Sequence, residues 1–309
     1  MIFVFSVLTT LLTLFLLFVG GMVNPTGSSL ACPDWPTCYG SFFPAMVGGV
    51  FFEHGHRMVA TGVGLCTVVL MLWIFWLKEA PLRLKMLGVV AGVLVVFQGL
   101  LGGITVLFRL PPWISVSHLV TSMIFLCVLT SITWRLGQRM TWKLRDTGMN
   151  PWPRLFRWVF WVQGSMIFIQ IVLGALVRHL GAGRICGNDF IGCVGMIWPS
   201  DALGQLHMVH RIHGYGVGAW VMLTSILFIQ RTPRQSHPLL RMFAWMMPWL
   251  VCFQVLIGMG TVATHIHFLP AALHLLAGAI LLSVSWVQIL AVSSPTPWIP
   301  GKLGVPSHG

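Results

Sequence analysis

The chain has 309 residues, of which 57% are hydrophobic and only 8% charged, with 18 Lys and Arg against 6 Asp and Glu. So few charged side chains cannot cover a soluble globule of this length, which excludes a cytosolic domain. The net charge of +12 does not point to nucleic acid either, because no segment is long enough to form a soluble basic face; in a membrane protein Lys and Arg mark the cytoplasmic loops.

A hydrocarbon layer of about 30 Å takes about 20 apolar residues per helix. Eight runs of that kind lie at 2–23, 52–77, 86–107, 114–134, 158–178, 205–230, 242–263 and 271–292. The first is read as a helix rather than a signal peptide, because no basic residue precedes Arg57 and the charged start of a signal peptide is missing. Lys78, Arg83 and Lys85 share one loop, Arg135, Arg139, Lys143, Arg145, Arg154 and Arg157 the next, and Arg231, Arg234 and Arg241 a third, with Lys302 in the tail. The positive-inside rule then places both termini in the cytoplasm and the segments 24–51 and 179–204 outside.

The two halves repeat. Gly20, Val23, Gly27 and Cys32 match Gly174, Val177, Gly181 and Cys186, each 154 residues later, and His56-Arg57 matches His210-Arg211 at the same offset. Gln98, Gly102, Thr105 and His118 match Gln254, Gly258, Thr261 and His274, all 156 residues later. An even number of spans per repeat gives both halves the same direction across the membrane. The expected fold is therefore all-α, with eight transmembrane helices in two pseudo-symmetric four-helix bundles: residues 1–143, a cytoplasmic linker at 144–157, and residues 158–309.

His56 and His118 fall on the second and fourth spans, His210 and His274 on the sixth and eighth, each within about two turns of the outer end. Two imidazoles facing each other across a bundle are what a six-coordinate haem iron requires. A lone intramembrane histidine can instead bond to a neighbouring helix, but four at one depth in a duplicated frame favour ligation. Zinc or copper would add Cys, Asp or a third His, and His54, His207, His213, His265 and His267 keep that alternative open. These five are read as interfacial or supporting residues.

Glu53 precedes His56 by three residues, whereas the matching position in the second half is His207. A carboxylate beside one of two similar sites suggests chemistry there and electron transfer at the other; the plainer alternative is a helix cap or a pair with Arg57. Cys32 and Cys38 in one external loop and Cys186 and Cys193 in the other are read as local disulfides, with a redox-active or metal-binding pair as the competing reading. Cys66, Cys127 and Cys252 lie in spans as ordinary apolar thiols.

The segment Thr26-Gly27-Ser28-Ser29-Leu30-Ala31-Cys32-Pro33-Asp34-Trp35-Pro36, the Glu53-x-x-His56-Arg57 motif, His210-Arg211, His118 and His274 together resemble the haem A synthases of aerobic respiration over nearly the whole chain. The resemblance implies an enzyme of a bacterial-type inner membrane that oxidises the C8 methyl of haem O to a formyl group, giving haem A for terminal oxidases. It implies haem b as cofactor on His210 and His274, substrate haem O between His56 and His118, and Glu53 as the catalytic carboxylate. Haem O synthase and a membrane quinol donor are the expected partners, though no residue names a quinone site, and self-association is left open. Asn24 departs from the pattern, because a basic residue is expected opposite Arg178. The main rival is a dihaem cytochrome b that moves electrons from quinol without modifying haem; a transporter or assembly scaffold would hold no stoichiometric haem.

Overall fold

A computed structural model describes residues 1–141, 154–232 and 238–293. Lys143, Arg145, Asp146, Arg234 and Lys302, and most of the expected 144–157 linker, lie outside the described residues. The helices are α1 (Ile2–Val23), α2 (Gly49–Trp76), α3 (Leu82–Leu107), α4 (Pro112–Thr141), α5 (Arg154–His179), α6 (Ala202–Arg231), α7 (Pro238–Ala263) and α8 (Phe268–Ser293). All eight are long and apolar enough to cross a membrane, and among the described residues no strand forms beyond two isolated bridges.

The expected spans match these helices, and most discrepancies fall where polar residues continue a helix past its apolar stretch. α2 begins at Gly49, ahead of its expected start, and α4 runs on through Arg135 to Thr141. Local chemistry sets several ends. Asp201 caps α6, its Oδ1 accepting the Gly204 N–H at 2.7 Å, which satisfies one of the free amides of a helix start. The α3–α4 turn holds Arg109 and Leu110 at φ 58° and 64°, and the α7–α8 turn holds His265 and Ile266, 156 residues later, at 52° and 65°. Left-handed pairs of non-glycine residues are uncommon, so their recurrence at this offset accords with the sequence repeat.

In the first half α1 and α3 each pack against α2 and α4, closing a ring of four; in the second, α5 and α7 pack against α6 and α8. The halves meet where α1 and α4 touch α8 and α4 touches α5. One close point is Gly21 on α1, where a Cβ would lie 2.9 Å from the Ala272 Cα of α8. Small residues at such points let helix backbones approach and gain van der Waals contact, which drives association where lipid is as apolar as the helix surfaces. Beside this contact, Arg178 at the end of α5 donates from Nη2 to the Gly21 carbonyl at 3.0 Å and from Nε to Asn24 Oδ1 at 3.4 Å. Arg178 and Asn24 stand 154 residues apart: the position that departs from the expected basic residue touches its own counterpart.

The largest apolar cluster, including Leu17, Met123, Leu126, Ile167, Val221, Met247 and Leu282, bridges both halves. A buried polar cluster pins the second half alone: Gln163 Nε2 donates to Gln288 Oε1 at 2.8 Å and Ser285 Oγ at 3.3 Å, while Gln163 Oε1 accepts from Thr224 Oγ1 at 2.7 Å. The matching positions of the first half are Thr9, Leu70, Leu129 and Ile132. Hydrogen bonds between membrane helices are worth about 0.6 kcal/mol on average. Gln163→Leu, which strands three partners at once, is expected to destabilise the protein by about 1–2 kcal/mol, read as a lower midpoint of denaturation in detergent; an unchanged midpoint refutes this role.

Candidate functional site

The two loops, residues 24–48 and 180–201, lie at the same end of the helices, and both close a disulfide, Cys32–Cys38 and Cys186–Cys193. His54 stands beside Cys32 and Cys38, but the two sulfurs are joined to each other, so no thiolate remains for a metal there. Cys66, Cys127 and Cys252 are free thiols.

Both loops are built by one device. Asp34 accepts the Tyr39 and Gly40 N–H groups at 2.6 and 2.9 Å and the Thr37 hydroxyl. Asp189 accepts those of Ile191, Gly192 and Gly195 at 3.2, 2.8 and 3.1 Å. An arginine that follows a candidate ligand then fastens each loop to its helix. Arg57 Nη1 donates to the carbonyls of Asp34 and Thr37 at 2.7 and 2.6 Å, and Arg211 Nη1 donates to those of Asp189 and Gly192, both at 2.6 Å.

The halves differ at the partner of that arginine. Glu53, 3% exposed, pairs through Oε1 with Arg57 Nη2 at 2.6 Å and accepts the Cys32 N–H on Oε2 at 2.8 Å. The pairing with Arg57 offered by the sequence as the plainer alternative is thus present, and the carboxylate holds the first loop directly through Oε2 and by way of Arg57 through Oε1. In the second half His207 occupies the matching position and Arg211 Nη2 is buried without a partner.

His56, His118, His210 and His274 lie about two turns into α2, α4, α6 and α8 from the disulfide end. His56 and His118 are electrostatic neighbours, as are His210 and His274. Every one of the four rings lies against a glycine of an adjacent helix. A Cβ would fall 2.8 Å from His56 Cε1 at Gly20, 3.5 Å from His118 Cε1 at Gly102, 3.0 Å from His210 Cε1 at Gly174 and 2.9 Å from His274 Cε1 at Gly258. At three of the four, a glutamine one turn before the glycine binds the histidine carbonyl: Gln98 to His118 at 3.1 Å, Gln170 to His210 at 3.0 Å and Gln254 to His274 at 3.0 Å. At the fourth that position is Leu16. Nδ1 of His56 and of His118 is buried without a hydrogen-bond partner. Two imidazoles per half, in a cradle kept open by glycine, fit an iron porphyrin; among the described residues no carboxylate or thiolate set suits zinc or copper at this depth.

The surplus histidines divide. His213 Nδ1 bonds Gln170 Oε1 at 2.8 Å, and His207 and His213 are electrostatic neighbours of His210. His54 Nε2 contacts the Phe42 carbonyl at 2.9 Å, and His265 and His267 lie in the α7–α8 turn. Sequence reasoning gave no individual role to two residues. His179, at the last position of α5, is an electrostatic neighbour of His118 across the halves. Trp35 rests its indole on α3 at Gly103, where a Cβ would lie 2.7 Å from Cδ2; the second half has Met259 at that position.

The fold and these sites define a multi-pass membrane protein in which each set of four helices brings one histidine pair together beneath a disulfide-closed loop. A family model described as cytochrome oxidase assembly protein matches residues 3–48 and 47–286, and the chain belongs to that family. It is 28% identical to the haem A synthase of Symbiobacterium thermophilum, over 87% of this chain and 88% of that protein. It is 28% identical to the haem A synthase of Alkalihalophilus pseudofirmus over 95% and 98%, and 26% identical to that of Geobacillus kaustophilus over 93% and 90%.

The loop device carries a pH signature. The Thr37 hydroxyl first, with the Gly40 and Tyr39 amides, lowers the Asp34 carboxyl from 3.8 to about 2. A lowered pKa contributes stability that is present above 3.8 and lost as pH falls towards about 2. The Cys32–Cys38 disulfide is therefore expected to resist reduction by a water-soluble phosphine above about pH 4 and to lose that protection below it, whereas Asp34→Ala, which has no carboxyl to titrate, lacks the protection throughout; identical profiles refute the role.

Proposed function

We propose that this protein is a haem A synthase, oxidising the C8 methyl of haem O to a formyl group for terminal oxidases. Its organisation is then an N-terminal half of residues 1–143 that takes the substrate, and a C-terminal half of residues 158–309 that keeps a resident cofactor. The observation that carries the division is the carboxylate: two alike histidine pairs lie under alike loops, and Glu53 stands one helical turn from His56 while His207 takes its place in the other half.

In this reading His56 and His118 hold haem O, and His210 and His274 hold haem b. Haem b bound there would supply one-electron transfer to the substrate half. Two successive hydroxylations of the methyl group, each consuming O₂, two electrons and two protons, give a geminal diol that loses water to leave the formyl group. Glu53 serves as the proton-exchanging group of the first half. The glycine cradles orient the rings, and the Arg57 and Arg211 loop ties cover the disulfide end against water. That end faces outward, both termini are cytoplasmic, haem O synthase delivers the substrate and quinol supplies the electrons.

Co-expression with a haem O synthase tests the function: haem A is expected only when this chain is present, and haem b alone in the purified protein would make it an electron carrier instead. Glu53→Gln keeps an oxygen for the Cys32 N–H but cannot exchange a proton. It is expected, like Glu53→Ala, to abolish haem A formation while leaving the haem b spectrum nearly intact; activity in Glu53→Gln would confine Glu53 to holding the loop. His274→Met is expected to perturb the haem b spectrum more than His118→Met, and the reverse would exchange the roles of the halves.

A further inference from the structure

The four histidine sites share a plan that is broken once. On α3, α5 and α7 a glutamine and a glycine four residues apart occupy one helix face. The glycine admits the ring of the neighbouring histidine, and the glutamine Nε2 donates to that histidine's carbonyl, at 3.1 Å for Gln98, 3.0 Å for Gln170 and 3.0 Å for Gln254. The histidine carbonyl is already part of its own helix, so the added bond fastens one helix backbone to its neighbour at the depth of the ring. Gln170 and Gln254 also reach ring nitrogens, His210 Nδ1 at 3.1 Å and His274 Nε2 at 3.4 Å.

His56 has no such fastening. The residue one turn before Gly20 is Leu16, 154 positions ahead of Gln170, and its side chain packs with the apolar cluster of the first half. The His56 ring approaches α1 closely at Gly20 with no glutamine bond from that helix to its carbonyl, and its Nδ1 has no hydrogen-bond partner. Glu53 and Arg57 tie α2 to the loop, on residues 32, 34 and 37, and make no bond to α1. An iron held by two imidazoles has no open position, so chemistry with O₂ at the first site requires one of them to withdraw.

We infer that Gln98, Gln170 and Gln254 are positioning residues that hold three of the four ligand-bearing helices in place, and that Leu16 leaves His56 as the displaceable ligand of the first site. The inference rests on the proposed assignment of the histidines to haem and deepens it. His118 would stay on the substrate iron while His56 withdraws. The second site, fastened on both sides by Gln170 and Gln254, stays closed, which suits electron transfer.

Carbon monoxide binding to the reduced protein, loaded with haem O, tests this without reading turnover. The first-site haem is expected to bind carbon monoxide and the second-site haem to exclude it. Leu16→Gln, which supplies the missing donor, is expected to slow binding at the first site by at least about tenfold, whereas Leu16→Met, of similar bulk and without a donor, leaves it unchanged. Gln254→Leu is expected to make the second-site haem reactive. An unchanged rate in Leu16→Gln with haem O bound, or equal slowing in Leu16→Met, overturns the inference. Absence of haem O from the first site of the unaltered protein overturns the assignment of function instead, and the Gln254→Leu result then decides the positioning role by itself.

Discussion

Four imidazole rings enter these helix bundles at points where the facing helix has no side chain, and that close approach governs the arrangement of the disulfide end. A ring nitrogen in a membrane span can find a partner only inside the protein, because lipid offers it nothing, and Nδ1 of His56 and of His118 is left without one. Glycine at 20, 102, 174 and 258 lets the ring reach the neighbouring backbone; a side chain at 20, 174 or 258 would press on the ring, while one at 102 would meet it in ordinary contact. The spacing of α1 from α2, α3 from α4, α5 from α6 and α7 from α8 is thereby fixed at one depth. The loops inherit that spacing, since Arg57 and Arg211 directly follow two of the rings and hold the loop carbonyls.

What the halves share is scaffold, and what they do not share is concentrated near one histidine pair. The aspartate-centred loops, the arginine ties, the disulfides, the glycine cradles and the left-handed turns all recur. The first half alone has the Glu53 and Arg57 pair, Leu16 in place of a glutamine, and an indole laid on Gly103. The second half alone has the Gln163 cluster, which joins α5, α6 and α8 away from the disulfide end. The second half thus carries a further set of polar bonds far from its histidines, and the first lacks a glutamine at one of its two histidines.

The sequence carried the helices and the ligand pattern because both are written in periodic form. Long apolar runs announce spans, and offsets of 154 and 156 residues announce a copied unit. It did not carry the occupants of the space between helices. The notch that takes Trp35 depends on how a loop folds back on α3, and Gly103 looks like any other membrane glycine. The double use of the Glu53 oxygens follows from the position of the Cys32 amide, which no spacing rule gives. The Gln-x-x-x-Gly spacing was visible three times, at 98, 170 and 254. Its meaning required knowing which histidine carbonyl each amide meets.

Arg178 and Asn24 raise a different matter. In an assembly of two identical units, a residue beside the twofold axis meets itself, and arginine there would set two guanidinium groups against each other in a poorly hydrated seam. A single chain that contains both units is free of that restriction: one copy keeps the cation, the other offers Oδ1 to receive it. Fusion of the halves therefore permits a complementary contact that a true homodimer is denied, and it makes exchange of the two residues a different problem from mutation of either. Arginine at both positions is the arrangement the seam cannot accept, while asparagine at 178 with arginine at 24 would restore the contact in the opposite sense.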